Sequence, residues 1–172
     1  MANKEALREL QSRLSERLSA ARTQQTGKSW LAVECGGHGL LFPLREAGEI
    51  FPMAGLQPVP HSQGWFLGVA NLRGHLHGVV DLARFLGLDS SQMNREQARL
   101  VGFNQQCNLN CALLVDRLSG LRSEEQLTAE REDAVLRPPF VGARYRDAAG
   151  RIWQEINLLE LAGHEFFLKI AA

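Results

Sequence analysis

Two histidines and an aspartate stand close together in "HSQGWFLGVANLRGHLHGVVDL", residues 61–82. His75 and His77 are two positions apart, so on a β-strand their side chains would share a face. Two imidazoles and a carboxylate can bind zinc or iron. Asp81 would join that face only if the strand ran unbroken through Gly78, and we expect a helix to begin at Asp81. We therefore favour solvated strand histidines over a metal site.

Cys107 and Cys111 are separated by three residues and could form half of a metal site. No second pair exists to complete four ligands, since Cys35 is the remaining cysteine. The intervening "NLN" is typical of a hairpin turn. We expect structural thiols that are buried or half-buried near the mouth of this turn, with a redox-sensitive pair as the alternative.

The motifs of the common enzyme classes are missing from the sequence. It has no G-x-S-x-G elbow, no phosphate-binding Gly-Lys-Ser/Thr loop and no H-E-x-x-H. Its acids are spread singly along the chain, so the sequence does not pair two of them for acid–base work. We predict a non-enzymatic protein without cofactor or metal. The alternative is a small metal-dependent β-barrel enzyme that uses His75, His77 and Asp81.

Arg73 is the side chain best placed to bind a partner. Asn71 and Arg73 are two apart and point to one side of a predicted strand, opposite Leu72. An arginine before the glycine turn at Gly74 would present its guanidinium at the rim of a barrel, where it could bind a carboxylate. Glu49, on an earlier predicted strand, could pair with it or flank it. The alternative is that Arg73 only ties down its own loop.

The elements that must position these residues are short strands. From Trp30 onward, apolar-rich pieces alternate with Gly, Pro, Asn or Asp. Such spacing favours an antiparallel barrel or sandwich, and about nine or ten strands are enough for two small barrels. A short helix should follow Asp81 as N-cap and end near Gly87. The predicted hairpin connections are "GGHG", "QQCNLN" and "DAAG".

Residues 3–22 predict an amphipathic helix with a narrow apolar stripe. We expect the stripe to pack on the chain's own domain, with another protein as the alternative. The linker "TQQTGKS" then divides the chain into a helical extension, 1–28, and a β-rich domain, 29–172. The stripe consists of Leu7, Leu10, Leu14, Leu18 and Ala21.

Charge and composition narrow the class of partner. The 172 residues hold 19 basic and 19 acidic side chains, which cancel to zero. A neutral chain with one tyrosine does not favour nucleic acid or a membrane surface, so we expect protein or small-molecule partners. The charged N-terminus is no signal peptide, and no apolar run approaches a membrane span. An odd number of cysteines in apolar surroundings agrees with a cytoplasmic location.

An ordered set of short motifs resembles the CheW-type coupling domain of bacterial chemosensory systems. The resemblance covers roughly residues 29–163, nearly everything after the helix. No single piece is decisive, but the set in this order is fairly specific. The pieces are "EI" at 49–50, "VP" at 59–60, "GVANLRG" at 68–74, "VVDL" at 79–82, "LGL" at 86–88, "LLVDRLSGL" at 113–121 and "INLLEL" at 156–161.

The resemblance implies an all-β fold of two small five-stranded antiparallel β-barrels packed over an apolar seam, with short connecting helices. It also implies a non-enzymatic adaptor between the cytoplasmic tip of a methyl-accepting receptor and a CheA-type histidine kinase. Phe42, Ile50, Leu67 and Val69 would then supply apolar docking patches. The positions carried over as partner-binding are Glu49, Gly68, Asn71, Arg73, Gly74, Val115 and Asp116.

The sequence departs from the family pattern at a few positions. Gly78 replaces the usual proline, Ala70 replaces a larger aliphatic residue, and Gln154 and Glu155 enter a closing strand that is normally apolar. The last departure puts the packing between the two barrels in question. The N-terminal extension together with "VANLRGHLHGVVDL" is most similar to couplers of the pathway that governs type IV pili and twitching, with a flagellar chemotaxis coupler as the alternative.

Overall fold

The computed structural model describes residues 2–24, 27–89, 91, 93–133 and 135–172, and within the first helix it describes side chains for 4–17. Eleven strands and four α-helices are present in these residues. The strands are β1 Ser29–Cys35, β2 His38–Pro43, β3 Ala47–Pro52, β4 Phe66–Leu72, β5 His75–Asp81, β6 Arg99–Phe103, β7 Cys111–Val115, β8 Arg117–Ser123, β9 Leu127–Ala129, β10 Val141–Asp147 and β11 Ile152–Ile156. The helices are α1 Ala2–Gln24, α2 Leu82–Phe85, α3 Leu158–Ala162 and α4 Glu165–Leu168.

The strands form two sheets, one of six strands and one of five. Their orders are β8-β1-β2-β11-β10-β9 and β3-β6-β7-β5-β4. The mostly β architecture confirms the predicted fold, and the three predicted hairpin connections join β1 to β2, β6 to β7 and β10 to β11. Two details differ from it: short β9 adds a sixth strand to one sheet, and the pairs β2–β11 and β5–β7 are parallel.

Side chains point alternately to the two faces of each strand, and the buried ones pack into three hydrophobic cores. In β1, Trp30 faces a small core within the six-stranded sheet, whereas Leu31 and Val33 face a larger core shared by both sheets. A third core fills the five-stranded sheet around Phe51 and Leu100. Because the shared core takes side chains from both sheets, it is the apolar seam that the resemblance to the CheW-type domain implied.

The polar residues of β11 do not disturb this packing. The Trp30 indole N–H donates to Glu155 Oε2 at 2.6 Å, so the carboxylate satisfies a buried donor. The amide of Gln154 donates to the carbonyl of Gly142 at 2.8 Å. Trp153 and Ile156 of the same strand remain fully buried. Gln154 and Glu155, which replace the usual apolar residues of this strand, therefore form hydrogen bonds beside the core.

Helix α2 begins and ends as predicted. Asp81 is its N-cap and accepts a hydrogen bond from the Arg84 backbone N–H at 3.2 Å. Gly87 has φ of 72°, and the backbone N–H groups of Gly87 and Leu88 donate back to the last turn. Strand β5 runs unbroken through Gly78 up to Asp81, so that this residue both ends the strand and caps the helix.

Helix α1 extends slightly beyond the predicted 3–22. Leu7, Leu10 and Leu14 are 62%, 64% and 56% exposed. The expectation that this part of the stripe packs on the chain's own domain was therefore wrong. The side chains of Leu18 and Ala21 lie outside the described part of the structure. None of the helices in the described residues is long and apolar enough to cross a membrane.

Candidate functional site at the β4–β5 hairpin

The hairpin between β4 and β5 presents Arg73 at its tip. Arg73 and Gly74 form the two-residue turn, with φ of 50° and 82°. Positive φ at both positions is the type I′ geometry that matches the twist of paired strands. The Gly74 N–H donates to Asn71 Oδ1 at 2.8 Å, which fixes the turn. Arg73 thus lies within the turn itself, where its side chain projects beyond the end of the strands.

Arg73 forms a salt bridge with Glu49 of β3. The pair joins the two outer strands of the five-stranded sheet, β3 and β4, at the hairpin end. The two side chains are 73% and 44% exposed, and an exposed pair of this kind contributes only about 0–1 kcal/mol to stability. Both charged groups can therefore exchange this contact for one with a partner at little cost.

A groove of about 680 Å³ lies beside the salt bridge. Its walls combine charged, imidazole and amide side chains, most of the amides from the loop between β6 and β7. The sequence predicted this loop only as a hairpin connection, although its density of Asn and Gln was a usable signal. The lining residues include Glu49, Phe51, Arg73, His75, His77, Asn104, Gln105, Asn108 and Asn110.

Sequence reasoning also missed Leu76. Its side chain is 64% exposed, and its backbone is paired in register with Asn71 across the hairpin. An exposed leucine three residues from Arg73 gives the hairpin an apolar contact next to a charged one. Interfaces commonly join apolar contacts with an arginine in this way.

A family model described as CheW-like domain matches residues 29–166, which includes both sheets and the whole site. The chain belongs to the CheW-like domain family. It is 28% identical over 154 residues to the protein PilI of Pseudomonas aeruginosa, with 86% of this chain and 84% of that relative covered. The crystal structure of the scaffolding protein TtCheW from Thermoanaerobacter tengcongensis matches with a TM-score of 0.64 at 15% identity, over 77% of this chain and 92% of that one, and shows the same fold.

CheW-like domains are scaffolds of chemosensory systems rather than enzymes. In the CheW-like domain of this chain, the predicted partner-binding residues divide into three groups by location. Glu49 and Arg73 line the groove, while Asn71 and Gly74 hold the turn that carries Arg73. Gly68, Val115 and Asp116 are not among the residues that line it. Their role in partner binding stays a prediction, as does the division of the chain after residue 28.

Gly68 lets the backbone at Gln57 pack directly against β4. It has φ of 130°, and a Cβ there would lie 2.2 Å from the backbone oxygen of Gln57. The Val69 N–H donates to that same oxygen at 2.9 Å. Only glycine allows the segment at Gln57 to lie against β4 this closely. In this CheW-like domain the position therefore shapes the hairpin strand without offering a side chain to a partner.

Val115 and Asp116 lie where the chain leaves the five-stranded sheet for the six-stranded one. The Val115 side chain is fully buried in the seam, so that any effect it has on partner binding would be indirect. Asp116 accepts a hydrogen bond from the Gly36 N–H at 2.9 Å, and its own N–H donates to the Glu34 carbonyl at 2.8 Å. Burial raises the pKa of the Asp116 carboxyl, an effect that the Gly36 hydrogen bond only partly offsets.

The proposed apolar docking patch is wrong at Phe42. This side chain is 0% exposed and belongs to the seam. Ile50, Leu67 and Val69 are half-buried. A single sequence does not distinguish an outer face of a strand from a face that packs on a second sheet.

His75, His77 and Asp81 do not form a metal site. The two histidines line the groove, and the His77 ring packs against Phe51 with 5.8 Å between ring centroids. Asp81 is buried as the cap of α2 and pairs with Arg84 at 3.3 Å. No group of three or more His, Cys, Asp or Glu side chains that could hold a metal ion occurs in the described residues.

The three cysteines are free, with Cys35 and Cys111 buried and Cys107 half-buried. This confirms the expected burial of the thiols at the β6–β7 connection. Burial raises the pKa of the Cys111 thiol to about 12 and also raises the pKa of Cys35 and Cys107. Because the thiolate is the reactive form, such cysteines are poor nucleophiles and poor metal ligands near neutral pH.

Proposed function

We propose that this chain is a non-enzymatic adaptor that couples the cytoplasmic tip of a methyl-accepting chemoreceptor to a CheA-type histidine kinase. The observation that carries the proposal is the CheW-like match, which covers both sheets and the seam between them. The similarity to PilI favours the pathway that governs type IV pili and twitching over a flagellar one. In this role the protein works in the cytoplasm, at membrane-bound receptor arrays.

The rim formed by Glu49, Arg73 and Leu76 is the proposed contact with one of the two partners. An arginine whose present ion pair is weak can form a bidentate hydrogen bond with a partner carboxylate. The exposed leucine beside it supplies apolar contact area. A partner that buries both would gain specificity from the charge and affinity from the leucine.

Transmission between partners is proposed to run through the seam. The seam takes fully buried side chains from both sheets, including Val33 of β1 and Leu113 of β7. A close-packed interior shifts as a unit, so that a partner bound on one sheet changes the fit on the other. An adaptor needs this property, whereas an enzyme needs a set of reactive groups instead.

The test is co-purification of the full chain with the CheA-type kinase of the same cell and with a receptor cytoplasmic fragment. Arg73→Ala should weaken one of the two complexes by roughly 30-fold, which corresponds to about 2 kcal/mol at an interface hot spot. The matched control is Arg146→Ala, because Arg146 also forms an exposed ion pair, with Glu130 of the other sheet. Thermal unfolding of both variants should match the unchanged protein.

Two outcomes would contradict the proposal. If the unchanged chain captures neither kinase nor receptor, the coupling function is wrong. If Arg73→Ala binds both partners as tightly as the unchanged chain, the rim is wrong and Arg73 serves only to tie the hairpin to β3. Glu49→Ala distinguishes these two roles of Arg73. If only the loss of the Arg73–Glu49 salt bridge mattered, Glu49→Ala and Arg73→Ala would weaken partner binding equally.

A further inference from the structure

Helix α1 carries an apolar seam that the rest of the described chain does not cover. Leu7, Leu10 and Leu14 are each more than half exposed. With about 100° of rotation per residue, the three leucines fall within about 60° of one helix face. This narrow seam, at alternating steps of three and four, is the pattern of a helix that packs against another helix or an apolar groove.

The charges of the same helix are sorted around that seam. By the same rotation, Lys4, Arg13 and Arg17 lie within about 95° of its centre, so that they flank the leucines. Arg13 also pairs with Glu9 at 3.1 Å, but this ion pair is exposed and contributes little, so that Arg13 can exchange it for a partner's carboxylate. Glu5, Glu9 and Glu16 all lie more than about 130° away, on the opposite face, which also carries Arg8 at about 125°. The border of the seam is therefore basic although the chain as a whole is neutral.

We infer that α1 is a docking arm for a partner helix whose apolar stripe is bordered by carboxylates. The basic borders complement an acidic one and repel a basic one, so charge selects the partner. The arm goes beyond the proposed coupling function, because it lies outside the residues 29–166 that match the family.

Two other possible partners of the leucine seam of α1 fit it less well. A second copy of α1 would place Lys4, Arg13 and Arg17 against the same cations of its partner, and like charges at such positions destabilise helix pairs. An anionic membrane surface would use the basic borders, but interfacial helices need a broad apolar face, and this seam spans only about 60°.

The test uses the full chain and a designed helical peptide. The peptide has leucines at the same spacing and glutamates at every flanking position, and a matched peptide has lysine in place of each glutamate. Calorimetry should show at least tenfold tighter binding of the acidic peptide, and its affinity should fall as salt rises because charges carry the preference. The double variant Leu10→Ala, Leu14→Ala should weaken acidic-peptide binding at least tenfold.

Two further variants act as controls. Arg17→Glu, beside the seam, should reduce the preference for the acidic peptide, whereas Glu16→Gln, on the opposite face, should leave it unchanged. These side chains are exposed, so circular dichroism should show the same helix and strand content in every variant.

The inference is overturned if neither peptide binds, or if both bind equally. It is also overturned if sedimentation shows a dimer that the double leucine variant abolishes, or if phosphatidylserine vesicles bind the chain while the acidic peptide does not. Co-purification of the double variant with the CheA-type kinase and the receptor fragment should remain as for the unchanged chain. With this control, an incorrect docking-arm proposal can be distinguished from an incorrect proposal of the coupling function.

Discussion

At the scale of single residues, the chemistry of the site depends on what surrounds each side chain. Arg73 and His75 are only two apart and line the same groove, yet only Arg73 forms an ion pair there, with Glu49. Asp81 is the buried N-cap of a helix, as expected, and not the third metal ligand that the alternative required. Residues that are close together in the sequence thus differ in role according to their burial and hydrogen bonding.

Gly68 should be one of the least replaceable residues of the domain. Gly68→Ala combines a left-handed backbone with a Cβ only 2.2 Å from the Gln57 oxygen, so β4 or the Gln57 segment must move. We expect a loss of about 2 kcal/mol or more in the free energy of unfolding, measured with urea. Gly64→Ala is the control, because a Cβ there meets nothing within 4 Å. Equal stability of the two variants would show that the close approach at Gly68 is unimportant.

The Cys111 thiol should make stability depend on alkaline pH. Its pKa rises from an ordinary value of 9.0 to about 12 in the folded protein. Between these values the unfolded chain releases the proton while the native state retains it, so stability falls as pH rises through this window. The slope is about 1.4 kcal/mol per pH unit for this group. Urea unfolding between pH 8 and 11 should therefore show a shallower decline for Cys111→Ala, and parallel curves would contradict the prediction.

At the scale of secondary-structure elements, local signals in the sequence were enough to predict α2 and the hairpins. An acidic N-cap and a terminal glycine define α2 within a few residues, and the turn residues locate β1–β2, β6–β7 and β10–β11. The parallel pairs β2–β11 and β5–β7 could not be predicted in this way. They depend on contacts between distant segments, and no local pattern encodes which strands become neighbours. For the same reason the sequence could not show that Phe42 faces the other sheet.

The cap of α2 gives this element a direct test. Asp81→Ala removes the acceptor for the Arg84 N–H and leaves the start of α2 without its cap. We expect a loss of about 1–2 kcal/mol in urea unfolding. Asp81→Asn keeps an acceptor oxygen and should lose less than half of that amount. If both variants lose the same stability, the charge of Asp81 and its contact with Arg84 matter more than the cap.

At the scale of the whole molecule, the two sheets are bound together by the path of the chain. Strands β1 and β2 start the six-stranded sheet, β3 to β7 build the other sheet, and β8 to β11 return to the first. The five-stranded sheet is therefore inserted between the second and third strands that the chain gives to the six-stranded sheet, β2 and β8, and both sheets contribute to the seam. Each large apolar side chain buried there contributes about 1.5–3 kcal/mol, so that separating the sheets would cost more than a typical domain's stability.

The two sheets should consequently unfold in one cooperative transition. Fluorescence of a Trp65→Phe variant reports on Trp30 and Trp153, which are buried in the six-stranded sheet. Labelling of Cys111 in a Cys107→Ser background, followed by mass spectrometry, reports on β7 of the five-stranded sheet. Because both probes depend on the same seam, their urea midpoints should coincide, as two-state behaviour requires. A midpoint for Cys111 labelling clearly below that of the fluorescence would mean that the five-stranded sheet opens alone, and a rigid connection between the two partner surfaces would then be excluded.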